Sequence, residues 1–396
     1  MEEELCRVLA DFVRIMEGYR VDDYRATASS AISEASNSLY VLGKIHQLTG
    51  LSVTVLSNSE QRFLSYKALA AMEDNFNKII EKGTAILDLD GGSFQISLFD
   101  KDALVTTQNI RMGSLRIRER LAGIQSETEH YEEMVEELIW NEVSSFKKMY
   151  LKDRKIENIM LIGDVFTDSV YQNIEEKTTK IISRENFNTW YEKIIRQSPM
   201  ELAVKLGIPL ENASLMYPSA VIYKCLIDMM GAEHIWIPGV HMTRGIAYEY
   251  AEQMKLLKGG HNFENDILMA AKNIGKRYAV NRPHVQNLEM TALAMFDATK
   301  KMHGMKERER LLLQMAVMLH DVGKYISFNN VADSSYNIIM SNEIIGLSHI
   351  EREMVALIAR YNTVTLPSYD ELVMESSLSA EPVSYTHLRA HETPEH

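Results

Sequence analysis

The chain has 396 residues, of which 46% are hydrophobic and 24% are charged, so it can bury large cores in two or three domains. Its formal net charge of −13 argues against a nucleic-acid-binding surface, and a polyanionic ligand would need a local positive site. Apolar runs of membrane-spanning length are absent from the sequence. The start Met1-Glu-Glu-Glu is unlike a signal peptide, and the widely separated Cys6 and Cys225 fit a reduced, cytoplasmic protein.

The first 80 residues have the pattern of an α/β unit. An opening amphipathic helix is followed by a helix that ends near Thr49, a strand over 51–56 and a helix from about Ser59. A mixed sheet follows naturally from this alternation.

The segment 85–99 is an apolar run that is interrupted by Asp88 and by the turn Gly91-Gly92-Ser93. This pattern predicts a β-hairpin whose turn can bind phosphate, because glycines let backbone N–H groups approach an anion and Ser93 adds a hydroxyl donor. Asp88, at the end of the strand, is placed to hold a metal ion or an attacking water. An ordinary tight hairpin is the alternative interpretation.

The remaining elements form a second α/β unit and then an all-helical region. A long helix is predicted over 127–152 and a short buried strand over 158–162. After Tyr250 the strands stop, and amphipathic helices are predicted over 285–303, 307–319 and 350–360. The pair Gly259-Gly260 is the expected linker.

Several segments, in the right order, carry a resemblance to the exopolyphosphatase and guanosine pentaphosphate phosphohydrolase family. They cover roughly residues 10–380, and the most specific are the hairpin and the His-Asp pair in the last segment. The matching segments are Ala26–Asn37, Leu56–Arg62, Leu87–Gln95, Met112–Glu119, Pro283-His284 and Leu319–Gly323.

The resemblance implies α/β actin-like lobes (the ASKHA, ribonuclease H-like type) followed by an all-α HD-type domain. The expected domains are 1–82 as a remnant of the first lobe, 83–258 as the second lobe with the phosphate hairpin, and 262–380 as the helical domain. Residues 383–396 change composition abruptly and are expected to be a non-native tail. Family members begin with a phosphate-binding strand and loop, so this chain is expected to be N-terminally truncated, and hence less soluble and less active than a complete chain.

The activity that the resemblance implies is release of terminal phosphate from inorganic polyphosphate or guanosine pentaphosphate, with Mg²⁺ or another divalent metal. Such chemistry needs donors for the phosphate oxygens, a bridging metal and a carboxylate that orients water. The implied catalytic residues are Glu60 as base and Asp88 as metal or water ligand. The implied phosphate-binding residues are Gly91, Gly92, Ser93, Gly113 and Arg116. Arg116 can equally be a solvated strand arginine.

Three positions in the front lobes depart from the family pattern, and the identity of the base depends on the alignment. Gln95 replaces a glutamate, so one carboxylate is missing. Asp90 replaces the first hairpin glycine and adds a negative charge, which opposes phosphate binding, and Ser33 replaces an arginine. The base is Gln61 in an ungapped alignment, whereas a one-residue deletion makes it Glu60, which we favour because Arg62 then also matches.

In the helical domain, His284, His320 and Asp321 are three candidate metal ligands, a set that suits Mn, Fe, Zn or Mg. The alternative, which we favour, is that His320 and Asp321 form a buried hydrogen-bonded pair that orients helices. Lys324 is expected to line the same pocket.

Two further functions remain open beside phosphohydrolysis in the front lobes. The first is a weak or inactive relative that regulates by binding a phosphorylated nucleotide or a protein. The second is an independent phosphohydrolase activity of the helical domain. The expected partners are polyphosphate or guanosine pentaphosphate and a second copy of the chain in a homodimer, with no nucleic acid and no membrane.

Overall fold

The computed structural model describes residues 2–29, 32, 35–72, 76–121, 131–163, 165–173, 180–257, 260–362 and 364–376. Ser33, Gly259 and the predicted tail 383–396 lie outside these residues. None of the helices in the described ranges has the length and apolar character needed to cross a bilayer.

The N-terminal part is a small α/β unit, as the sequence pattern predicts. Its elements are α1 (Glu2–Gly18), β1 (Ala26–Ala28), α2 (Ser38–Thr49), β2 (Val53–Val55), α3 (Asn58–Met72) and α4 (Phe76–Ile80). The strands β1 and β2 pair in parallel. A small core of its own joins α1 to α2 through Cys6, Val41, Ile45 and Leu51.

A six-stranded mixed sheet forms the centre of the molecule. Its strands are β3 (Thr84–Leu89), β4 (Phe94–Asp100), β5 (Ala103–Ile110), β6 (Asn158–Gly163), β7 (Ile181–Ser183) and β8 (His234–Trp236), in the order β5-β4-β3-β6-β8-β7. The predicted hairpin is confirmed as β3 and β4, which pair antiparallel with Asp88 opposite Gln95. The strands β3, β6 and β8 run parallel, so their carboxyl ends lie at one edge.

Helices cover one face of this sheet. They are α5 (Ser114–Leu121), α6 (Tyr131–Phe146), which continues into a π-helical turn (Lys147–Leu151), α7 (Val165–Asn173), α8 (Arg184–Ile195), α9 (Pro199–Leu206) and α10 (Leu210–Met230). Leu87 and Leu89 point to this face and share its core with Tyr223 of α10. Since side chains alternate along a strand, Ile86 and Asp88 point to the opposite face.

The opposite face is covered by α3 and by the C-terminal helices. These are α11 (Met242–Gln253), α12 (Phe263–Arg277), α13 (Arg282–His303), α14 (Glu307–Leu319), a 3₁₀ turn (Val322–Tyr325), α15 (Val331–Ser341), α16 (His349–Arg360) and α17 (Tyr369–Glu375). The three predicted C-terminal helices are confirmed, with starts that differ by up to three residues. One apolar core contains Tyr66 of α3, Ile86 of the sheet and Val355 of α16. This core therefore crosses the boundary predicted near residue 262.

The helices α3 and α11 cross at a glycine. A Cβ atom at Gly245 would lie 2.0 Å from the backbone oxygen of Leu64, a distance that requires one helix to move. The close approach places the start of α11 beside the part of α3 that carries Arg62.

We predict that Gly245→Ala lowers the free energy of unfolding by about 1–3 kcal/mol, because the added methyl group overpacks this crossing. Thermal unfolding followed by circular dichroism measures the change. The control is Gly43→Ala in α2, where a Cβ meets nothing within 4 Å and alanine is expected to be neutral or stabilising. Equal midpoints for the two variants would contradict the tight crossing.

Candidate functional site

A cleft of about 380 Å³ opens at the carboxyl ends of the parallel strands. Ligands of open α/β sheets commonly bind at this edge, because the loops that follow neighbouring strands converge there. The charged and positioning residues of its wall are Arg62, Asp88, Asp90, Gly163, Asp168 and His241.

A buried ion pair forms the floor of the cleft. The guanidinium of Arg62 lies 3.2 Å from Asp88 Oδ1 and also donates to the backbone oxygen of Asp88. Its Nη2 donates to Ser93 Oγ at 2.9 Å. Arg62 is 5% exposed and Asp88 is 8% exposed. One arginine thus joins α3 to β3 and to the turn of the hairpin, and it fixes the Asp88 carboxylate at the cleft.

Burial raises the pKa of Asp88, and the negative charge of Asp90 raises it further. The Arg62 guanidinium lowers the pKa and so partly offsets the effect of burial. A raised pKa in the folded state means that the contribution of Asp88 to stability is present below its ordinary pKa and is lost as the pH rises through the raised value. The charged carboxylate is therefore costly in the free protein, so binding of a cation there would be favoured.

The glycine turn has contacts that the sequence did not predict. The N–H of Gly91 donates to Asp90 Oδ1 at 2.7 Å. Asp90 departs from the family pattern, and its carboxylate accepts the N–H group that was predicted to bind phosphate. The carbonyl of Gly91 accepts from the N–H groups of Leu115 and Arg116 at 3.0 and 3.2 Å, which caps the start of α5. The turn consequently packs on α5 beside the cleft.

Gly113 and Arg116 also belong to this packing. A Cβ at Gly113 would lie 2.2 Å from the backbone oxygen of Asp90. The two backbone segments approach so closely here that only glycine fits without a shift. Arg116 lies on α5, so its interpretation as a strand arginine is wrong, and its guanidinium lies beside Gly92. The phosphate-binding roles of Gly91, Gly92, Ser93, Gly113 and Arg116 stay predictions, and the described cleft wall does not include these residues.

Glu60 and Gln61 differ in where they point. The carboxylate of Glu60 accepts from the N–H and the hydroxyl of Ser57 at 2.8 and 2.6 Å, an arrangement that caps α3. Gln61 lies on the cleft wall and donates to the carbonyl of Leu56 at 3.0 Å. Glu60, the base that the family resemblance implies, does not belong to the described lining of the cleft. Its role as base stays a prediction.

Asp168 and His241 complete the far wall of the cleft, and sequence reasoning missed both. Asp168 lies in the first turn of α7, after β6, and His241 precedes α11, after β8. His241 Nε2 lies 3.5 Å from Asp168 Oδ1. The signal that could have found them is their position after strands that end at the same edge.

The structure brings His284, His320 and Asp321 together in the helical region. One possible ligand atom from each lies within 4.8 Å of the others. The ring nitrogen Nδ1 of His320 lies 2.7 Å from the carbonyl of Val317, which leaves Nε2 facing Asp321. Burial lowers the pKa of His320, which favours the neutral ring that metals bind. Lys324 lines the same cavity, of about 510 Å³, and its Nζ lies 2.7 Å from Asp321 Oδ2.

Comparison with solved structures defines the class of protein. The fold is similar to that of an exopolyphosphatase from Cytophaga hutchinsonii, with a TM-score of 0.54, 16% identity and coverage of 64% of this chain and 82% of that chain. It is also similar to the Ppx/GppA family member from Aquifex aeolicus, with a TM-score of 0.51, 17% identity and coverage of 65% and 83%. The chain has the actin-like fold of these proteins, with a helical region at its C-terminus.

The family follows from the sequence comparison. Residues 1–254 match the profile of the Ppx/GppA phosphatase family, and residues 268–382 match the profile of domain III of the Ppx/GppA phosphatases. The chain belongs to the Ppx/GppA phosphatase family.

Curated relatives are distant. A guanosine-5'-triphosphate,3'-diphosphate pyrophosphatase from Vibrio atlanticus is 18% identical over 368 residues, which are 91% of this chain and 70% of that protein. A bifunctional 3-dehydroquinate synthase/phosphatase from Fusobacterium nucleatum is 20% identical over 256 residues, which are 59% of this chain and 36% of that protein.

We predict that Asp90→Asn lowers the pKa of Asp88, because it removes a neighbouring negative charge and keeps an oxygen that can accept from Gly91 N–H. Carboxyl-carbon NMR of aspartate-labelled protein, titrated with acid, measures the shift. Asp370→Asn on the distant helix α17 is the control. An unchanged Asp88 titration would show that Asp90 does not act on this carboxyl.

Proposed function

We propose that this protein is a phosphohydrolase that releases terminal phosphate from inorganic polyphosphate or guanosine pentaphosphate. The observation that carries the proposal is the cleft at the carboxyl ends of β3, β6 and β8, with the Asp88 carboxylate held at its floor by Arg62. A terminal phosphate in this cleft would lie among a carboxylate, the loops after three parallel strands and the start of α7, whose N-terminal dipole favours anions.

The Asp88 carboxylate fits a magnesium ion in chemistry. Mg²⁺ binds through one or two carboxylates and completes its shell with waters and substrate phosphates, and the Asp88 carboxylate can serve as such a ligand. Asp88 would hold the ion, which when bound neutralises charge on the phosphate oxygens. Arg62 keeps the carboxylate in place. Gln61, on the same wall, has an amide that can orient water.

The proposal extends to the helical region as an HD-type domain with a divalent metal held by His284, His320 and Asp321. A set of two imidazoles and one carboxylate suits transition metals. A homodimer and a cytoplasmic location stay part of the proposal, and the free, buried Cys6 and Cys225 are compatible with a reducing compartment.

A second function is favoured by one contact. Because the Asp90 carboxylate occupies the Gly91 N–H, the turn presents negative charge where a hydrolase needs donors. The second candidate is therefore a regulator that binds a phosphorylated nucleotide without turning it over.

The test of catalysis is phosphate release from long-chain polyphosphate and, separately, from guanosine pentaphosphate, both with Mg²⁺. We predict that Asp88→Asn lowers kcat by about 10²–10⁴-fold, the effect expected for loss of a group that acts in the transition state. The control Asp370→Asn should keep full activity. Glu60→Gln and Gln61→Ala, measured in parallel, decide which of the two residues takes part.

An inert wild-type chain that is thermally stabilised by guanosine pentaphosphate would favour the regulator over the hydrolase. An inert chain that shows no stabilisation would contradict both.

The test of the helical metal site is binding of Mn²⁺ and Zn²⁺ by isothermal titration calorimetry. We predict that His320→Ala lowers the affinity by at least about 10–100-fold, the effect of losing an outer-shell partner, since it removes one of three direct ligands. The matched control is His234→Ala, an exposed histidine on β8. Equal affinities of wild type and His320→Ala would favour the buried pair that orients helices.

A further inference from the structure

The cleft has a charge deficit for the substrate class proposed above. Among the described residues, its wall carries the carboxylates of Asp88, Asp90 and Asp168 and one arginine, Arg62. That arginine is buried and already donates to Asp88 and Ser93. A chain of phosphates is a polyanion, and the protein as a whole carries a formal charge of −13. Beside the metal ion that Asp88 would hold, a cationic side chain that faces the phosphate oxygens would reduce this deficit.

His241 is the side chain on the wall that can supply this charge. It is 54% exposed at its side chain and stands at the start of α11, where backbone N–H groups also face outward. Among the described residues, the His241 side chain makes no hydrogen bond that caps α11. The ring therefore has a nitrogen that can reach a ligand.

Asp168 is placed to hold this ring. Its Oδ1 lies 3.5 Å from His241 Nε2. Burial raises the pKa of the Asp168 carboxyl, and the nearby His241 ring partly offsets this rise. A carboxylate at that distance can orient the ring. When the ring is an imidazolium, its Nε2–H faces Asp168 and its Nδ1–H can donate to a phosphate oxygen.

We propose that His241, as an imidazolium oriented by Asp168, binds a phosphate group of the substrate chain in the cleft. This inference rests on the proposed function and adds to it the residue that balances the charge of the substrate. His241 touches the ligand, and Asp168 is a positioning residue.

The charged groups around His241 come from four elements and decide the expected pH dependence. They are Asp168 on α7, Asp88 and Asp90 on the hairpin, Arg62 on α3, and Arg244, one turn further along α11, whose guanidinium contacts Met72 Sδ. A histidine carries positive charge only when it is protonated, so affinity for a phosphate chain should be higher at acidic than at alkaline pH.

The experiment measures binding of inorganic tripolyphosphate by calorimetry from about pH 5.5 to about pH 8.5, a range that brackets histidine titration. The wild type should lose about tenfold in affinity across this range, as expected for one charge-assisted hydrogen bond. His241→Ala should bind about tenfold more weakly at the acid end and show little further loss. Its thermal midpoint should match that of the wild type, since the side chain is half exposed.

Two conservative variants separate charge from structure. His241→Arg should bind tightly at both ends of the range, because its charge does not titrate. Asp168→Asn should keep His241 but weaken tripolyphosphate binding at acidic pH, since the ring loses the carboxylate that orients it. A merely structural role for His241 would leave these pH profiles unmoved.

The outcomes distinguish this inference from the proposed function. Tripolyphosphate binding that is the same in wild type and His241→Ala at every pH overturns the inference, and so does a wild type that binds no tripolyphosphate. If the variants behave as expected but the wild type releases no phosphate, the binding role of His241 stands and the hydrolase proposal fails. If the wild type is active, His241→Ala should raise KM by about tenfold and change kcat little.

Discussion

A single buried guanidinium holds the candidate site together. Arg62 donates to the backbone oxygen of Asp88, lies beside its carboxylate, and reaches Ser93 at the end of the hairpin turn. A buried charge is stable only when it is paired and hydrogen-bonded, so the chain has to bring α3 against the hairpin at this point. The close crossing of α3 and α11 at Gly245 then fixes the far wall relative to the floor. The cleft geometry follows from these two contacts.

Much of the fold could be predicted from the sequence, because long elements have clear periodicity. The hairpin 84–100 and the helices α13, α14 and α16 each repeat an apolar pattern over enough residues to be recognised. The strands β7 and β8 have three residues each and carry no such pattern, so they were missed. They form because β6 offers β8 a parallel partner, which is a tertiary effect.

The site was only partly predictable for a related reason. Asp88 could be recognised because its position at a strand end is local information. The capping contact of Glu60 and the bond from Gly91 N–H to Asp90 are local too, but they depend on rotamers that a sequence does not display. Asp168 and His241 are 73 residues apart in the chain and meet only because β6 and β8 are neighbours. Arg62 was recognised as part of a motif, and its role in holding the hairpin required the structure.

The shared core behind the sheet has an evolutionary consequence. Residues of α3, of the central strands and of α16 exclude water from one another, so the two matched family segments share this core. A gene rearrangement that separated the two segments would leave two polypeptides with solvent-exposed apolar surfaces, each prone to aggregate. In this chain, selection should therefore act against separation of the two segments.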